Sequence, residues 1–112
     1  MTFLKIPSNK KISVGDIELV VIDYTFKLKA GETLVLANLS VAEVTGFLAS
    51  ITDEALNSAT FIFGDSNRTV AIDHAVQFTV QGSSAGTSRI TVSVDTSLGR
   101  RFVRTLELQV VS

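Results

Sequence analysis

Cysteine is absent from all 112 residues. That excludes disulfides, thiolate nucleophiles and sulfur-based metal sites together. A chain this small that does without disulfides is expected to be made and folded in a reducing cytosol. Tryptophan is absent as well, so the Cys–Trp–Cys signature of antibody domains cannot be present. No apolar run approaches the roughly 18 residues of a membrane span, and the polar N-terminal stretch lacks the apolar segment of a signal peptide. Net charge is −1, which argues against a strong electrostatic footprint for nucleic acid or an acidic membrane. No segment sustains a 3.6-residue apolar period, so neither a helical bundle nor a βαβ fold is expected.

What the chain does have is apolar residues, 46% of the total, in short runs separated by turn formers. One core and one domain follow from that size and composition. The clearest pattern is at the C-terminus. Ile90, Val92 and Val94 alternate with Thr91, Ser93 and Asp95, and Leu106, Leu108 and Val110 alternate with Thr105, Glu107 and Gln109. Period-two alternation gives strands with one wet face, and Gly99 between them permits a tight reversal. This is a β-hairpin inside an antiparallel sheet.

Upstream, Glu18 to Leu28 reads as a strand with Val20, Ile22, Tyr24, Phe26 and Leu28 on one face. Thr33 to Val41 reads as a second, with an irregularity at Asn38 where the apolar parity slips. Thr45 to Ile51 is a weaker run. Thr52 to Ser58 reads as a polar connection with room for one helical turn. Ala59 to Phe63 and Thr69 to Gln81 are further strands, and Gly82 to Thr87 reads as a hairpin turn. The expected fold is all-β: an Ig-like antiparallel β-sandwich of about seven strands. Residues 18–112 form the sandwich domain, and residues 1–17 an N-terminal arm or first strand.

Residues able to carry chemistry are sparse. His74 is the only histidine. Without a partner histidine or cysteine it reads as a strand residue at the edge of the core, not a metal ligand. Asp53, Glu54, Asp65 and Asn67 have ordinary turn spacing and lack the arrangement of a calcium loop. No serine sits in a nucleophile context. The expectation is a protein with no catalytic, cofactor or metal site. Two places could contact a partner. The arm carries apolar Phe3, Leu4 and Ile6 and the cationic pair Lys10 and Lys11, and either forms a strand or docks on a neighbour. The hairpin tip carries Arg100 and Arg101, either as a solvated cluster or as carboxylate-binding contacts.

The stretch Ser84-Ala85-Gly86-Thr87, then Thr91-Val92-Ser93-Val94 with Thr96-Ser97, Gly99-Arg100, Arg104 and Leu106-x-Leu108-x-Val110, resembles the C-terminus of small Ig-like virion proteins of tailed bacteriophages. Asp23-Tyr24 and Lys29-Ala30-Gly31-Glu32-Thr33 are similar to their first part. The resemblance implies a capsid decoration, or cement, protein made in the host cytoplasm and bound to the virion surface. Its partner would be the major capsid protein or another virion protein, and it would form a homo-oligomer, such as a trimer. A tail or neck component and a cell-surface carbohydrate-binding module are the alternatives. The lack of tryptophan weighs against the last.

Overall fold

The structure, a computed structural model, describes residues 4–5, 9–43, 49–63 and 68–112. Its strands in chain order are β1 Leu4–Lys5, β2 Asn9–Ser13, β3 Ile17–Asp23, β4 Leu34–Glu43, β5 Ala49–Leu56, β6 Phe61–Phe63, β7 Arg68–Val70, β8 Ala75–Gly82, β9 Gly86–Thr96 and β10 Arg101–Val111. One sheet has the order β1-β3-β8-β5 and the other β2-β10-β9-β4, while β6 and β7 form a separate ribbon. The protein is an all-β sandwich. Its pairings are antiparallel except at two edges, where β1 joins β3 and β2 joins β10 in parallel.

The core between the sheets follows from alternation. Val20 and Ile22 of β3, Val76, Phe78 and Val80 of β8, Ile90, Val92 and Val94 of β9, and Leu106, Leu108 and Val110 of β10 are all buried there. The C-terminal hairpin has the expected parity, with Val92 opposite Arg104 and Ile90 opposite Leu106, and Gly99 takes a φ of 78° at its turn. The irregularity expected at Asn38 is a register shift between Val35 and Ser40.

Four expectations are corrected. The strand from Glu18 ends at Asp23, because Thr25–Lys27 forms a 3-10 turn that carries Phe26 outward. The polar stretch from Thr52 is no loop. It completes the edge strand β5, and a register shift between Thr52 and Ala55 accommodates Asp53 at a φ of 58°. The run from Thr69 to Gln81 is two strands, β7 and β8, separated by a turn in which Asp73 has a φ of 61°. The stretch Gly82 to Thr87 crosses from β8 in one sheet to β9 in the other instead of closing a hairpin. The expectations placed on 44–48 and 64–67 lie outside the described residues.

The ribbon β6–β7 accounts for burial that alternation misses. Val21 faces away from the sandwich core, yet it is buried with Val70 and Ala75, and Leu19 and Phe61 pack against them. Strand β3 is therefore apolar on both faces.

Candidate protein-recognition pole

At one end of the sandwich β3 ends, β4 begins, β8 begins and β9 turns into β10. The connections there are residues 24–33, 57–60, 71–74 and 97–100. The first is shaped locally by Asp23, whose Oδ1 accepts from Thr25 N at 2.9 Å and from Thr25 Oγ1 at 2.5 Å. A short acid capturing the amide two residues on is the ordinary start of such a turn. Lys27 N then donates to Tyr24 O at 2.8 Å and closes the 3-10 turn.

Glu32 ties this connection to the hairpin tip. Its side chain is fully buried and paired with Arg100. Its Oε2 accepts from Thr96 Oγ1 at 2.5 Å and from Arg100 Nε at 2.9 Å. Its Oε1 accepts from Lys29 N at 2.9 Å and from Arg100 Nη2. The Arg100 hydrogen bond, above all, lowers the carboxyl pKa from 4.5 to about 2. Burial opposes that shift, and the Thr96 and Lys29 bonds add to it. Arg100 Nη2 also donates to Lys27 O at 2.7 Å. Thr33 N donates to Ser97 Oγ at 3.0 Å, and Ser97 N donates to Thr33 O at 2.8 Å.

Below these loops the Tyr24 and Phe102 rings stack, with centroids 5.5 Å apart. The Arg100 guanidinium and Lys27 Nζ lie 5.1 Å and 5.6 Å from the Phe102 centroid, a cation–π arrangement. Tyr24 Oη and His74 Nδ1 are buried with no hydrogen-bond partner among the described residues. Burial raises the pKa of the Tyr24 hydroxyl, and the Arg104 charge opposes the shift.

Asn57 makes a second tie. Its Nδ2 donates to Ala59 O at 3.1 Å and Ala71 O at 2.7 Å, and its Oδ1 accepts from His74 N at 3.1 Å and Ala75 N at 2.9 Å. Two donors and two acceptor lone pairs are all that a side-chain amide possesses, and all are used. From this braced frame Phe26 projects, 80% exposed, together with Leu98 and Ile72.

The residues singled out in the sequence are dispersed. Arg100 is spent inside the molecule on Glu32. Arg101 pairs across the hairpin with Asp95, Nε to Oδ1 at 2.7 Å, and stays mostly exposed. Lys11 is exposed on β2 opposite Gln109, away from the tip. Leu4 and Lys10 lie in β1 and β2, opposite Val20 and Leu108. Phe3 and Ile6 lie outside the described residues. His74 sits in the turn before β8, not within a strand. Among the described residues no group of His, Asp and Glu could hold a metal ion. Sequence reasoning missed Glu32, Asn57, Phe26 and Leu98. An acid after Ala30-Gly31 and an asparagine in a polar stretch both read as solvated turn residues, and Phe26 read as core because it kept its strand's parity.

No family model and no curated protein matches the chain. Among solved structures it is similar to amebosin, in solution structure, at 11% identity and a TM-score of 0.40, covering 91% of this chain and 87% of that one. It is also similar to the cysteine protease inhibitor EhICP2 of Entamoeba histolytica, at 13% identity and 0.46, covering 92% and 84%. Neither is named as a virion component or an enzyme. The expected role as a capsid decoration protein, with a major capsid protein as partner and trimers on a virion, is corrected, as are its tail and carbohydrate-binding alternatives. The motifs that carried it have internal work: Thr96 and Arg100 bind Glu32, and Gly99 supplies a positive φ.

Proposed function

We propose that the domain recognises another protein with this pole, using Phe26 and Leu98 as apolar anchors on loops fixed before binding. The observation that carries the reading is Phe26: a large aromatic, 80% exposed, on a turn held by Asp23 on one side and by Arg100 on the other. Interfaces draw most of their energy from a few such anchors. Anchors already fixed lose little freedom on binding.

The test is a binding screen by calorimetry against folded proteins. A cysteine protease, the class named for one of the similar solved structures, is one member of the panel. Against a partner that binds, Phe26→Ser and Leu98→Ser each weaken affinity about tenfold or more. Val103→Ser, at a comparably exposed position on the outer face of the second sheet, leaves affinity unchanged. Full affinity in the Phe26→Ser, Leu98→Ser double variant ends this reading.

A further inference from the structure

After Asn57 the chain leaves the first sheet, forms the β6–β7 ribbon, and returns at Ala75. Among the described residues the ribbon strands pair only with each other. A two-stranded hairpin is marginal by itself. What the ribbon covers is a small cluster around Val21, Val70 and Ala75, separate from the core between the sheets. Its seat therefore depends on its base, and its base is Asn57.

Asn57 Nδ2 reaches Ala59 O where the chain departs and Ala71 O where it comes back. Its Oδ1 holds His74 N and Ala75 N as β8 begins, and its backbone O accepts from Asp73 N at 3.1 Å. The returning turn also anchors the pole. Asp73 O accepts from Leu34 N at 2.8 Å, and His74 O accepts from Tyr24 N at 2.9 Å. Those two bonds bracket the segment that carries Phe26.

We infer that Asn57 is a latch coupling the ribbon to the Phe26 segment. With the latch closed, the 71–74 turn presents its carbonyls to Tyr24 and Leu34, and the segment is held at both ends. With it open, the ribbon lifts from Val21 and both anchors are lost together. Asn57 is thus a positioning residue, acting on the pole through the turn. The use of this coupling in recognition rests on the proposed role of the pole, whereas the coupling itself is measurable without a partner.

Native-state hydrogen exchange on the full chain tests it. In the wild type, those amides of Phe61–Phe63 and Arg68–Val70 that are hydrogen-bonded across the ribbon, together with the amides of Tyr24 and Leu34, open as one unit, at lower denaturant than the β9–β10 amides. Asn57→Asp keeps the acceptor oxygen and removes both Nδ2 donors. It accelerates exchange in that unit roughly tenfold to a hundredfold and leaves β9–β10 unchanged. Ribbon amides that open only with the β9–β10 core overturn the latch. So does a ribbon that opens while Tyr24 and Leu34 stay protected. If Asn57→Asp fails to fold, the wild-type profile alone decides between these outcomes. None of them depends on whether Phe26 binds anything, so the two readings fail separately.

Discussion

Glu32 and Arg100 are 68 positions apart and share two hydrogen bonds, Nε to Oε2 and Nη2 to Oε1. The acid is buried and the guanidinium partly so. The pair joins the β3–β4 segment to the tip of the C-terminal hairpin. Removing one member of a buried pair leaves an uncompensated charge, which costs more than removing both. Arg100→Ala is therefore expected to lower Tm more than either Glu32→Gln or Arg101→Ala, since Arg101 pairs in solvent, where an ion pair adds little. Equal Tm values for Arg100→Ala and Arg101→Ala would contradict the assignment.

The same carboxyl predicts an acid response. Its pKa in the fold is about 2, against an ordinary 4.5. A depressed carboxyl stabilises the fold fully above its unfolded value, and the contribution fades as pH falls from about 4.5 toward about 2. The Tm difference between wild type and Glu32→Gln is expected to be constant from pH 7 to pH 5 and to shrink below that. A difference that grows on acidification would mean the pair does not exist.

Gly82 stands where β8 leaves its sheet near the β2–β3 turn. A Cβ there would sit 2.9 Å from Ser13 O and 3.0 Å from Val110 Cγ1. One of those atoms is backbone and the other belongs to a packed core residue. Gly82→Ala is expected to destabilise the domain by about 1–3 kcal/mol, read from the urea midpoint.

Val92 is fully buried and Leu108 nearly so. An aspartate at either position buries an unpaired charge and is expected to cost more than about 4 kcal/mol. Val103→Asp lies on the same hairpin but faces solvent, and is expected to fold normally. Circular dichroism separates the three; a folded Val92→Asp would refute the register of β9.

How far the fold was legible depended on where its partners lie in the chain. Strands β9 and β10 each have one wet face and lie next to each other in sequence, so their parity states their role directly. Val21 gave no such sign, because the ribbon that covers it comes some 40 residues later. Strand β5 exposes Thr52, Asp53 and Glu54 at a sheet edge, which makes a strand read as a loop. At the pole, Arg100 stands out in the sequence, but an arginine at a hairpin tip reads as facing outward. Its partner Glu32 has no local mark of burial, and the hydrogen bonds that make Asn57 a tie run to residues up to 18 positions away.

The most direct test of a pole set before binding is the backbone order of the free protein by 15N relaxation. Thr25, Lys27 and Arg100 amides donate to Asp23 Oδ1, Tyr24 O and Thr96 Oγ1. Their order parameters, and that of Phe26 between the first two, are expected near 0.85, the level of rigid backbone. Values below about 0.6 at Phe26 and Lys27 would show a flexible loop and contradict a recognition surface fixed in advance.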